Sequence, residues 1–67
     1  MRITLNGKTS EDYLEPLSVA ALLTALKLDG RPVLVELDAT ALRPREFAEA
    51  QVRDGSVVEI IQIAAGG

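Results

Sequence analysis

Apolar and polar residues alternate from the first residue of the chain. In residues 1–6, MRITLN, the odd positions are apolar and the even positions mostly polar, which is typical of a half-buried strand. Asn6–Gly7 favours a tight hairpin turn because both residues tolerate positive φ. The pattern therefore predicts a first strand and an antiparallel return strand over residues 8–14, anchored by Tyr13 or Leu14.

A helix is predicted after Pro16, which closes the return strand. Ser18 is placed to cap its first turn, because a serine hydroxyl can accept from a free backbone N–H. Apolar residues then recur at helical spacing, at Val19, Leu22, Leu23 and Leu26. Gly30 is the expected stop, and Pro32 prevents continuation.

A third strand is indicated over residues 33–38, VLVELD, where apolar residues alternate with residues facing solvent or a partner. Leu42 can add a brief fourth strand. Pro44 can open one or two helical turns extending to Glu49. Phe47, the only phenylalanine, is expected to pin this segment to the core.

The last predicted strand follows the turn at Asp54–Gly55 and reads SVVEIIQI. Val58 and Ile60 share one face. The other face carries Val57, Glu59, Ile61 and Ile63. Strands flanking one helix predict an α+β fold with the helix packed on one sheet. We expect a single domain over residues 1–67, with residues 64–67 as a flexible tail.

Composition excludes several classes of function. Seven basic against ten acidic residues give a charge of −3, which argues against nucleic-acid binding. Without cysteine or histidine, the chain cannot build a disulfide, a thiolate or a Cys/His metal site. No segment has the pattern of a signal peptide or a membrane span, so we expect a cytoplasmic protein. Ser10 and Ser18 lack a histidine base, so we expect no enzyme activity.

The ending Ala64, Ala65, Gly66 and Gly67 carries the candidate chemistry. Glycine has no Cβ, so such a tail can pass through a narrow channel of a partner in extended form. From Ala64 the tail can reach roughly 13 Å, at about 3.3 Å per residue. A disordered end without function is the alternative reading, and the dipeptide alone does not decide between the two.

The terminal carboxylate of Gly67 is ionised at neutral pH and can attack the α-phosphate of ATP. A sulfur donor can then displace the adenylate, which leaves a thiocarboxylate. Because the chain lacks cysteine, it cannot carry sulfur as a persulfide. Gly67 is therefore the candidate attachment point, and the ATP chemistry belongs to another protein.

Several segments together resemble one family. They are the start MRITLNG, the Ser18–Val19 entry with Leu22–Leu23, the strand VLVEL, Pro44–Arg45 before Phe47, and the ending DGSVVEIIQIAAGG. The chain is similar to the thiamine-biosynthesis sulfur carriers, which have a ubiquitin-like β-grasp fold: a mixed four- to five-stranded sheet crossed by one main helix. Asp38–Ala39 departs from the Asn-Gly common in the family.

The resemblance implies that an adenylyltransferase resembling ubiquitin-activating proteins uses ATP to activate Gly67. A sulfur donor then forms the thiocarboxylate, and thiazole synthase accepts the sulfur for thiamine. The chain binds no cofactor or metal in this scheme, and we expect a monomer. Alternatives are a carrier for molybdopterin or tRNA thiolation, a ubiquitin-like protein tag, and a docking module with an inert tail.

Ubiquitin-like proteins generally bind partners through apolar residues of the sheet. Ile61, Ile63 and Glu59, on the outward face of the last strand, are therefore candidate partner contacts. The alternative is that single exposed isoleucines have no function and that Ile63 folds against the helix.

Overall fold

The computed structural model describes residues 1–64. Its elements in chain order are β1 (Ile3–Leu5), β2 (Lys8–Ser10), β3 (Leu17–Ser18), α1 (Val19–Ala25), β4 (Val33–Leu37), β5 (Thr40–Leu42), a 3₁₀ turn (Pro44–Glu46), β6 (Gln51–Val52) and β7 (Val57–Gln62). The α+β class predicted from the sequence is confirmed. No helix within this part of the chain has the length and apolar content needed to cross a bilayer.

Five strands form one mixed sheet in the order β2-β1-β7-β4-β5. The hairpin between β1 and β2 turns at Asn6–Gly7, whose φ angles of 49° and 81° confirm the predicted turn. The last strand, β7, runs parallel to β1 and antiparallel to β4. The strand that leads into the tail therefore lies in the centre of the sheet.

One face of the sheet packs against α1. As predicted, Ser18 caps this helix, its Oγ accepting from the Ala21 N–H at 3.0 Å. Full burial of one aliphatic side chain contributes about 1.5–3 kcal/mol. The core consists of apolar residues from the inner side of the helix and from the inward positions of the strands. Its buried members are Ile3, Leu17, Val19, Leu22, Leu23, Val33, Val35, Val52, Val58 and Ile60.

The helix ends earlier than predicted. Its last residue is Ala25, and Lys27, not Gly30, takes the left-handed conformation that stops it, with φ 62°. The Leu28 N–H donates to the Leu23 carbonyl at 2.8 Å, and the Lys27 N–H donates to the Thr24 carbonyl at 3.0 Å. These two bonds make a Schellman motif. Leu28 packs against the core, which explains why the chain turns there.

The return strand β2 is shorter than predicted, since it ends at Ser10 rather than near Leu14. The chain turns after Ser10, and the Asp12 N–H donates to Oγ of Ser10. Of the two proposed anchors, Tyr13 packs against the core, whereas Leu14 is 80% exposed. The prediction that Leu14 could anchor the return strand was therefore wrong.

A second sheet of two short strands was not predicted. β3 pairs antiparallel with β6, and Leu17 lies opposite Val52. The segment between β5 and β6 forms a 3₁₀ turn over Pro44–Glu46 instead of a helix reaching Glu49. Phe47 is half-buried against the core, and its carbonyl accepts from the Ala20 N–H at 2.9 Å. This segment thus holds the first turn of α1 in place.

Candidate functional site

The site is the end of β7 together with the sheet face around it. Asn6 closes the contact with β1: its N–H donates to the Val58 carbonyl at 2.9 Å, and its Oδ1 accepts from the Ile60 N–H at 2.7 Å. Past Ile60, within residues 1–64, β7 pairs only with β4. The last part of the strand therefore has one side open.

The chain stays attached to the sheet for one residue beyond β7. The Ile63 N–H donates to the Pro32 carbonyl at 2.9 Å. Ala64 follows and is exposed. The bond between Ile63 and Pro32 consequently sets the point and direction at which the chain leaves the sheet.

Of the predicted tail, only Ala64 belongs to the described residues. Ala65, Gly66 and Gly67 lie outside them. The predicted roles of these residues, including the modification of Gly67, stay predictions.

The three predicted contact residues lie on the surface. Ile61 is 58% exposed and Ile63 47%, and Glu59 is also exposed. Ile63 borders a largely apolar hollow that includes Leu23 and Phe47, yet it is not covered by the helix. All three side chains are therefore accessible to a partner, although their function as contacts stays a prediction.

Strand pairing adds two residues to this surface. Leu34 on β4 lies directly opposite Ile61, and Glu36 lies directly opposite Glu59. Leu34 is 57% exposed, and Glu36 is exposed. Alternation along VLVEL already indicated that both point outward. The pairing of β4 with β7 was needed to show that they join Ile61 and Glu59 in one patch.

A depression of about 110 Å³ lies within this patch. Its lining combines exposed apolar and acidic residues with parts of the sheet below them: Leu34, Val35, Glu36, Ala41, Leu42, Glu59 and Ile61. We call this surface, defined by Leu34, Glu36, Glu59 and Ile61, the outer patch. It is continuous with the start of the tail through Ile61 and Ile63.

Residues 1–64 contain no evident metal-binding centre. No group of three or more acidic side chains within this range could hold a metal ion. Serine hydroxyls are used structurally, as with Ser56, whose Oγ accepts from the Arg53 N–H at 2.8 Å. The described geometry is suited to presenting a tail and a surface.

The ThiS family model matches residues 2–67. The crystal structure of a thiamine biosynthesis protein, ThiS, from Geobacter metallireducens is 40% identical, with a TM-score of 0.84 and coverage of 100% of both chains. An NMR solution structure of a thiamine biosynthesis protein from the same organism is also 40% identical. Its TM-score is 0.83, and the match covers 100% of this chain and 88% of that one. The predicted β-grasp fold is confirmed.

A curated relative, named thiazole synthase, comes from Paramagnetospirillum magneticum. It is 31% identical over 67 residues, which are 100% of this chain and 20% of the relative. The chain thus spans only a fifth of that protein's length. From the family match over residues 2–67 and the agreement of fold, the chain belongs to the ThiS family, the sulfur carriers of thiamine biosynthesis with a ubiquitin-like β-grasp fold.

Proposed function

We propose that Gly67 carries the sulfur as a thiocarboxylate and donates it for formation of the thiazole of thiamine. The observation that carries this proposal is the family match over residues 2–67, which includes Gly66 and Gly67. The absence of cysteine supports it, because no thiol on this chain can hold a persulfide.

The proposed reaction has two steps. A carboxylate oxygen of Gly67 attacks the α-phosphorus of ATP, the bond to the β-phosphate breaks, and pyrophosphate leaves. A donor supplying sulfur at the oxidation level of sulfide then attacks the carbonyl carbon. The bond to AMP breaks, AMP leaves, and a thiocarboxylate remains. A separate adenylyltransferase resembling ubiquitin-activating proteins supplies the ATP site.

Thiazole synthase is the proposed acceptor of the sulfur. The relative that bears this name contains a stretch similar to all of this chain together with a much longer remainder. Two activities joined in one polypeptide act on each other at high effective concentration. The fused relative therefore supports a direct transfer of sulfur from the carrier to thiazole synthase, also where the two are separate proteins.

Intact mass spectrometry tests the proposal. Incubation with the activating enzyme, ATP and a sulfide donor should raise the mass by about 16 Da, through exchange of one oxygen for sulfur. Fragmentation should place the increase on Gly67. A chain whose Gly67 ends in an amide is the matched control and should keep its mass.

An unchanged mass with an activator that modifies its own known carrier would overturn the proposal. Reconstitution of a cell extract tests the pathway: the chain, but not the amide-ended control, should restore sulfur transfer to thiazole in an extract lacking its own carrier. Restoration of molybdopterin or tRNA thiolation alone would assign the chain to another pathway.

A further inference from the structure

The outer patch contains two acidic residues at paired positions of neighbouring strands. Glu36 and Glu59 are directly opposed on neighbouring antiparallel strands. Directly opposed residues have Cβ atoms about 4.5–5.5 Å apart, and like charges at that spacing destabilise a sheet. Within residues 1–64, the one ion pair joins Arg2 to Glu11, so neither carboxylate has a cationic partner there. The free protein therefore bears a local repulsion that a bound cation would relieve.

The surroundings of this pair restrict the kind of cation. Leu34 and Ile61, opposed to each other and each more than half exposed, lie next to the carboxylates on the same face. Both apolar and both acidic residues line the depression. Arginine and lysine have an apolar stem and a charged tip, so one such side chain can contact both halves of the outer patch. A guanidinium can in addition donate to two carboxylates at once.

A second copy of the chain does not suit this surface. Stacking two outer patches around a twofold axis would bring four carboxylates together without a compensating charge. A partner with a basic side chain next to an apolar one is complementary instead. Because Ile61 lies two residues before the bond between Ile63 and Pro32, such a partner would bind beside the point where the tail leaves the sheet.

We infer that thiazole synthase binds the outer patch by placing an arginine or lysine side chain between Glu36 and Glu59, with its stem against Leu34 and Ile61. This inference rests on the proposed function for the choice of partner. The contact orients the domain so that the tail enters the acceptor's site. The repulsion between the two carboxylates in the free protein is exchanged for two attractive contacts in the complex.

Isothermal titration of the full chain into purified thiazole synthase tests this contact. Glu36→Gln and Glu59→Gln should each weaken binding about 3- to 10-fold, since each removes one charged contact. Glu36→Arg should weaken binding by about 30-fold or more, because like charges then meet across the interface. Added salt should weaken the wild-type complex more than that of the double glutamine variant.

Glu49→Arg is the matched control, because it changes the net charge by the same amount. Glu49 is exposed and lies in the segment that packs beside α1, away from the outer face of the sheet. The affinity of Glu49→Arg for thiazole synthase should stay within about 2-fold of the wild-type affinity. Glu36→Arg should be at least as stable as the wild type in urea, since arginine then faces Glu59. Weaker binding by Glu36→Arg at unchanged stability would show that Glu36 acts in docking and not in holding the fold.

Equal binding by Glu36→Arg and Glu49→Arg would overturn the inference. So would a wild-type chain that sediments as a dimer and becomes monomeric on Glu36→Arg, since the patch would then bind a second copy. The mass measurement on Gly67 keeps the two proposals apart. Thiocarboxylate formation with unaltered binding by the variants would refute this inference alone. Absence of the mass increase would refute the carrier mechanism, and the binding measurements would then still decide whether thiazole synthase contacts the outer patch.

Discussion

Asp38 holds the start of the central strand by bonding twice to Val57. The Val57 N–H donates to Oδ1 of Asp38 at 2.8 Å, and the Asp38 N–H donates to the Val57 carbonyl at 2.8 Å. Asp38 belongs to the turn between β4 and β5, so this turn aligns β7 with β4. The opposed positions of the outer patch depend on that alignment.

Asp38→Ala should lower the free energy of unfolding by about 1–2 kcal/mol. It removes the acceptor for the Val57 N–H and leaves alanine, which adopts φ 50° less readily than aspartate because it has no polar side chain to bond locally. Asp38→Asn is the control, because asparagine keeps Oδ1 and tolerates the left-handed conformation. Urea unfolding should show the asparagine variant within about 0.5 kcal/mol of the wild type. Equal losses in both variants would contradict the role of Oδ1.

Ala39→Gly should stabilise the protein by about 1 kcal/mol. Ala39 has φ 68°, a left-handed conformation that costs an L-residue about 1–2 kcal/mol and costs glycine little. Thermal unfolding should therefore show a higher Tm. Ala41→Gly, in the neighbouring strand β5, is the control and should lower the stability by about 0.5–1 kcal/mol. A lower Tm for Ala39→Gly would contradict this account of the turn.

Asn6→Gly should destabilise the protein by about 1 kcal/mol although it suits the turn. Glycine accepts the φ of 49° found at Asn6, but it removes the Oδ1 that accepts from the Ile60 N–H. Asn6→Asp keeps an oxygen at that position and should lose less. Hydrogen exchange of the Ile60 amide gives a local measurement, and it should accelerate in Asn6→Gly. Unchanged protection of the Ile60 amide would show that its bond to Asn6 Oδ1 does not stabilise this part of the sheet.

Ile60→Ala and Ile61→Ala should differ strongly in stability. Ile60 is 7% exposed and belongs to the core, whereas Ile61 is 58% exposed on the opposite face. We expect a loss of about 2–4 kcal/mol for Ile60→Ala and of less than about 1 kcal/mol for Ile61→Ala. Both can be measured by urea unfolding. Similar losses would mean that Ile61 is covered in the free protein.

Gly66→Val should reduce thiocarboxylate formation by about 10-fold or more, as a consequence of the proposed function. Valine adds a branched Cβ to a segment that has to enter an enzyme site in extended form. The unfolding free energy should not change. Initial rates of the mass increase at Gly67 provide the measurement, with Gly66→Ala as the milder comparison. A normal rate for Gly66→Val would contradict a narrow channel.

Local patterns accounted for the direction of most side chains. Alternation predicted that Val58 and Ile60 point inward and that Glu59 and Ile61 point outward, and the structure confirms it. The turn at Asn6–Gly7 was also predictable, because the preference for positive φ belongs to the dipeptide itself. These features depend on residues close together in the chain.

The end of α1 and the small second sheet were not predictable in the same way. Lys27 is an unfavourable residue for a left-handed helix stop, and it is used because Leu28 packs against the core at that point. β3 and β6 are two residues each, too short for a periodic pattern. They pair because Leu17 and Val52 are buried together.

By itself, the sequence determined which residues can form strands and a capped helix and which of their sides are apolar, and it led to the prediction that Gly67 carries the sulfur. Only the tertiary structure decided that β7 lies between β1 and β4, and therefore that Glu36 faces Glu59 and Leu34 faces Ile61. The physical reason is that side-chain periodicity is a local property, whereas strand order and register follow from burying one common core.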